Sequence, residues 1–458
     1  MRVSQAARGA AVAGLTLGLL AVGSTTPSYA VDQDCANIPA DQQDAVTTDR
    51  TGSPVQLMQV VRAQQIAAEG GRVPGAGVTV AVLDSGVAET ELMVVGRPAG
   101  PPNRTPLDYH GTAMAGLIAA RGTPEEPIGI APGARILDVR VYDRRDPDDT
   151  SDEVGPRADL VLEGLRYVAG LPRGDVGVLV IGLSFARTPE LDAELREVLV
   201  DLAVKDVLVV AASGDRPQEE SDPLYPELGY NGDEPPHGED ARPVIWPASN
   251  PGVLAVNATG TVQVDDEEVV VGDADGDVLR SSATDLAAPT ADAVSVGLDG
   301  VSTCLLPEIS TTWAAAEVAG VAALVRSAYP RDTAAQVVAR LESTATGSPR
   351  AATVLTGHGV VQPVEALSRP LRPSDEGDLD GTRVVDEGGQ RAEAPKPQAD
   401  VLASTKRNAV WWGLLAGGAL IVAVLLRPVL ARRRVERAVV LALSTPAALH
   451  ADDGAIRV

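Results

Sequence analysis

Five short apolar runs recur through the first two thirds of the chain: Val78–Leu83, Ile136–Val141, Val176–Leu183, Val207–Ala212 and Val253–Val256. They are rich in Val, Leu and Ile and lack a regular polar alternation, the pattern of strands buried on both faces. Between them, Thr112–Ala120, Ala158–Leu171 and Glu190–Lys205 carry apolar residues at helical spacing. Buried strands alternating with helices predict a mainly parallel α/β sheet covered on both sides. Functional groups in such a sheet gather past the carboxyl ends of strands, which singles out Asp84 and Asp215. A further stretch, Ala314 to Val325, is apolar nearly all round, with Glu317 its only charge. It is too short to cross a bilayer and reads as a buried core helix. Ser310-Thr311-Thr312 runs straight into it, placing hydroxyls where helix amides lack partners. Upstream, Leu57, Val60, Val61, Ile66 and Ala67 space an amphipathic helix over Val55–Glu69, packed on the main domain.

The two ends read differently. Residues 1–30 combine Arg2 and Arg8, an apolar run from Gly9 to Val22 and the small residues of Ser28-Tyr29-Ala30, the layout of a secretory signal peptide. Ala409–Leu426 is uncharged and long enough for one transmembrane helix, with Trp411 and Trp412 at an interface. Arg427, Arg432, Arg433, Arg434 and Arg437 follow it, against Lys406 and Arg407 before it. This basic excess predicts a cytoplasmic tail, residues 427–458, with everything before the helix outside. Residues 31–71 form an N-terminal extension and 72–368 the main domain. Residues 369–408, rich in Pro, Gly and acids, form a disordered tether.

A net charge of −25 argues against nucleic acid as a partner, because phosphate binding needs clustered Lys and Arg. Cys35 and Cys304 are the two cysteines, both on the exported side, and are expected to form one disulfide, with free thiols the alternative; without a histidine cluster they do not suggest a metal site. Asp273-Ala274-Asp275-Gly276-Asp277 lacks the spacing and terminal Glu of a calcium loop and reads as a solvated acidic turn. Pro217 to Arg242, acidic and proline-rich, reads as a surface insertion near the cleft.

Three motifs carry chemistry. VTVAVLDSGV, Val78–Val87, ends a strand in Asp84; DYHGTAMAGLIAA, Asp108–Ala120, opens a helix at His110; STTWAAAEVAG, Ser310–Gly320, opens the core helix. In this order they resemble the subtilisin-like serine proteases, whose order is Asp…His…Ser. IGIAPGARILDVRV from Ile128, the Ala248–Ala258 strand and GHGVVQPVEAL from Gly357 are similar to further subtilase segments, so the resemblance covers roughly Leu57 to Leu367. With a signal peptide and a C-terminal anchor, the subgroup it resembles is the mycosins, membrane-anchored subtilases associated with type VII secretion systems. The resemblance implies a three-layer subtilisin-like α/β fold with a mainly parallel sheet, plus one C-terminal transmembrane helix. It makes Asp84 the orienting acid and His110 the general base, and it puts Thr312 at the nucleophile position and Asp215 at the oxyanion position. No cofactor or metal is implied. The implied partners are components of the secretion membrane complex or secreted polypeptides.

Two of these positions depart from the family. Thr312 stands where subtilases have the nucleophilic serine, and Ser310 where they have glycine. Asp215 stands where they have an asparagine that donates to the oxyanion; an ionised carboxylate only accepts. The familiar threonine nucleophiles are N-terminal and use their own amine, whereas Thr312 is internal. The expected function is a proteolytically impaired subtilase homologue acting as a structural or binding subunit. The alternatives are a serine-type endopeptidase using Thr312, and a module that binds peptides in the old cleft without cutting them.

Overall fold

The structure is a computed structural model that describes residues 33–48, 50–96, 105–147, 150–218, 224, 228, 235–263, 269–348, 351–379 and 403–443. The expected signal peptide, part of the tether and most of the 217–242 insertion lie outside the described residues. The chain divides into two units, Met1–Thr382 and Arg383–Val458.

In the first unit the order of elements is α1 (Ser53–Leu57), α2 (Val60–Ala67), β1 (Thr79–Asp84), β2 (Val94–Gly96), α3 (His110–Ala119), β3 (Arg135–Arg140), α4 (Ala158–Gly170) and β4 (Val178–Ile181). There follow β5 (Phe185–Ala186), α5 (Pro189–Val204), β6 (Leu208–Ala212), β7 (Ile245–Trp246), β8 (Leu254–Gln263), β9 (Val269–Gly272) and β10 (Leu286–Pro289). The unit closes with β11 (Ala293–Val296), β12 (Thr303–Leu306), α6 (Thr311–Ala328), α7 (Ala334–Thr344) and α8 (Pro363–Ser368). Each expected run lies within two residues of a strand end, apart from β8, which runs on past Val256.

The main sheet has the order β10-β8-β6-β4-β1-β3-β2, all parallel, with β9 added antiparallel to β8. Side chains alternate between its faces, as a pleated strand requires. Val80, Val82, Val178, Val180 and Val210 point into one core layer with α3 and α6; Ala81, Leu83, Leu179, Ile181 and Val209 point into the other with α4 and α5. This double covering is why the strands are apolar runs rather than alternating ones. The result is the three-layer α/β fold expected.

Helix α6 is buried along all but its last turn: every residue from Thr311 to Val325 is buried. Each fully buried Val or Leu there contributes roughly 1.5–3 kcal/mol. Glu317 opposes them. It is 2% exposed, its Oε2 has no hydrogen-bond partner, and burial pushes its carboxyl well above the ordinary 4.5, so it is held neutral.

The helix expected over Val55–Glu69 is two helices. Pro54 occupies the first turn of α1, where its missing N–H costs nothing, and the chain breaks at Gln59, whose φ is 51°. The break lets the Met58 amide close on Pro54 O while Met58 itself is 2% exposed. Ahead of α1, the extension lies along β12: Thr303 N donates to Val46 O, Leu305 N to Gln33 O, and Cys35 is bonded to Cys304 as a disulfide.

Among the described residues the second unit consists of the helix α9 (Ala403–Leu443). Its stretch Asn408–Pro428 has a mean hydropathy of 2.2 and is long and apolar enough to cross a membrane. The helix continues beyond the apolar run on both sides.

Candidate active site

The carboxyl end of β1 delivers Asp84 and the first turn of α3 delivers His110. The two backbones meet because residue 111 is glycine: a Cβ there would lie 2.5 Å from Gly86 O. Ser85 Oγ ties the elements further, donating to Asp108 O and accepting from Gly111 N at 3.0 Å. His110 Nδ1 lies 2.9 Å from both Asp84 oxygens, and Asp84 Oδ1 also accepts from Ser85 N (2.7 Å) and the Tyr142 hydroxyl (2.9 Å). Both side chains are buried. Burial pushes the Asp84 carboxyl up, but the His110 charge and these hydrogen bonds outweigh it and hold the pKa below 3.8. The Asp–His pair can hold an imidazole with Nε2 free to take a proton. Tyr142 was not foreseen from the sequence. Its hydroxyl pKa is raised well above 10 by burial and by Asp84, so it stays a donor.

The Trp313 ring stands 4.8 Å from the His110 ring, and its Nε1 donates to Glu308. Next to it stands Thr312. Its hydroxyl donates to Gly182 O at 2.6 Å, and among the described residues no hydrogen bond joins it to His110. Its γ-methyl fills the space over Gly182, where a Cβ would come within 2.8 Å of it. The acceptor is a backbone carbonyl past β4, so no side chain in the sequence advertises it.

Asp215, which the resemblance puts at the oxyanion position, is bonded to the head of α6. Its Oδ2 accepts from the Ser310 hydroxyl and its Oδ1 from Thr311 N, both at 2.6 Å. Ser310 Oγ in turn accepts from Thr312 N at 3.2 Å, and Thr311 Oγ1 accepts from Gly214 N at 3.2 Å. The carboxylate therefore sits at the positive end of α6, satisfying the Thr311 amide directly and the Thr312 amide through Ser310. The Thr312 amide, the remaining donor an oxyanion would use, is already bonded. Ser310 is thus the N-cap residue, as its spacing predicts.

Beside the site a cavity of about 570 Å³ is bounded by Tyr109, Arg145, Pro106 and, from the extension, Ile38 and Pro39. The acidic turn near Asp273 spends its carboxylates locally: Asp273 Oδ1 accepts from the amides of Ala274 and Asp275, and Asp275 pairs with Arg280. Among the described residues no three His, Cys, Asp or Glu side chains are grouped to hold a metal.

A doubly wound parallel sheet with an Asp–His pair at its carboxyl edge, a buried helix opening beside it and the chain order Asp…His…hydroxyl define a subtilisin-type domain. The subtilase family model matches residues 75–361, and the chain belongs to that family. Within it the chain is mycosin-like. It is 31% identical over 329 residues to Mycosin-1 of Mycobacterium tuberculosis, covering 65% of this chain and 70% of that protein. It is 28% identical over 392 residues to Mycosin-3 of the same organism, covering 79% and 81%. The fold matches the solved structure of the MycP3 protease from the type VII (ESX-3) secretion system with a TM-score of 0.53 and 28% identity, over 74% of this chain and 93% of that one.

Proposed function

We propose that this chain is a membrane-anchored, extracytoplasmic, mycosin-like subtilase homologue that serves the type VII secretion machinery as a structural or binding subunit and is impaired as a protease. The single observation that carries the impairment is the Thr312 hydroxyl: it donates to Gly182 O and is not bonded to His110. To attack a carbonyl it would have to break that bond and swing its γ-methyl out of the space over Gly182. The capped head of α6 adds to this, since Asp215 and Ser310 already occupy the donors an oxyanion needs. The secretion assignment rests on the likeness to mycosins and to a protease whose description names that system. The proposed domain plan is the one read from the sequence: signal peptide 1–30, extension 31–71, subtilase domain 72–368, tether 369–408, membrane helix 409–426 and cytoplasmic tail 427–458.

One observation favours the alternative, endopeptidase activity through Thr312. The Asp84–His110 pair is fully assembled, which a site long released from catalysis need not keep. Peptide and casein hydrolysis decides between them, with wild type run beside a repaired variant, Ser310→Gly, Thr312→Ser and Asp215→Asn. The proposal expects turnover from the repaired protein alone. Turnover by wild type that disappears with His110→Ala overturns it.

A further inference from the structure

At the other edge of the sheet, the amino ends of β6 and β8, lies a second cavity of about 610 Å³. Its floor is apolar, including Val207, Leu208, Val253, Leu254, Val338 and Ala339. Its rim is acidic: Asp285 leads into β10, Glu342 projects from α7, and Asp375 and Glu376 belong to the segment that crosses α7. That segment is fastened by Gln336 Nε2 donating to Pro373 O and Thr333 Oγ1 donating to Asp375 O.

The rim carboxylates are short of positive partners. Asp285 Oδ2 accepts one amide, Ala255 N, at 2.8 Å. The nearest basic group to Glu342 Oε2 is His358 Nε2 at 4.0 Å, beyond hydrogen-bonding distance, and the His358 ring is oriented by Nδ1 against Ser348 O at 3.1 Å. Asp206, also on the wall, is spent on Arg326 and Ala334 N. Arg173 lines the same cavity, and Arg242 acts on Asp285 only through its charge. Burial pushes Asp285 up to about 6; burial and the facing Asp285 push Glu342 up to about 7, with His358 opposing. A cation between them would relieve both effects.

We propose that this cavity is a docking pocket for a partner protein that presents a lysine or arginine flanked by apolar residues. Charge complementarity selects the cation and the floor selects its neighbours: an aliphatic stem and flanking Val- or Leu-like side chains cover apolar surface while the charged head reaches the rim. The acidic rim repels anionic lipid headgroups, which makes a protein segment the occupant. The pocket is separate from the catalytic edge, so the proposal stands whether or not the cleft cuts.

The test uses the full chain in nanodiscs and observes acetyl-Val-Lys-Val-amide by saturation-transfer NMR, beside the same peptide with norleucine in place of lysine. The lysine peptide should bind saturably and at least tenfold tighter than the norleucine peptide at pH 8. Because cation binding favours the ionised carboxylates, its affinity should fall at least fivefold on going to pH 5.5. Glu342→Gln should remove the preference for lysine while leaving the thermal unfolding curve cooperative. Equal binding of the two peptides, no saturable binding of either, or a lysine preference that survives both pH 5.5 and Glu342→Gln overturns the proposal.

Discussion

At the scale of single residues the catalytic edge combines a preserved half and a rebuilt half. Asp84 and His110 keep a geometry fit for proton transfer, while Ser310, Thr312 and Asp215 form a helix cap. Read this way, the three departures from the family pattern become one structural unit. Asp215→Ala should therefore destabilise the domain by about 1–2 kcal/mol, the usual loss of an N-terminal cap and its charge, measured by urea unfolding. Asp215→Asn, which can still accept one bond, should cost less than that. Tyr142→Phe removes one of the bonds that hold the Asp84 carboxylate ionised. In the repaired variant it should raise the acid limb of the pH–rate profile without abolishing turnover, as read from the dependence of kcat/KM on pH.

At the scale of elements, the strands and helices were legible because both faces of the sheet are buried, so that Val, Ile and Leu runs leave little ambiguity about what is inside. Helix α6 was legible for the same reason, and the Ser310-Thr311-Thr312 turn as its start because hydroxyls preceding an apolar run are a cap signal; which of the three caps it was not. The split between α1 and α2 was not: the left-handed turn at Gln59 falls on a residue type that gives no warning of it. Nor could spacing show where the Thr312 hydroxyl points, since its acceptor is a backbone carbonyl just past β4, 130 residues away. Glu317 gives α6 a pH dependence of its own. Its folded pKa lies above the unfolded value, so the folded state binds the extra proton, and the contribution of Glu317 to stability is full below about 4.5 and is lost as the pH rises towards the folded pKa. Glu317→Gln should flatten that decline, seen as a smaller drop in the urea midpoint between pH 4.5 and pH 8.

At the scale of the whole molecule, the extension and the last strands of the domain are joined by Cys35–Cys304, which closes a loop with a sequence separation of 269. Closing so long a loop limits the unfolded chain and stabilises on the order of 5 kcal/mol in the chain-entropy account. It also separates chain continuity from membrane retention. The whole main sheet, from β1 to β10, is strung between the two cysteines, together with the acidic stretch 217–242, while the anchor helix lies beyond Cys304. A glutamyl endoproteinase that cuts within 217–242 would sever the polypeptide without releasing either half: the front half would stay tied to the anchored half through sulfur. Nicked protein should run as one band on a non-reducing gel and as two after reduction, and its front half should leave washed membranes only when reductant and denaturant are added together. A wound in that stretch would thus leave the domain moored to its membrane.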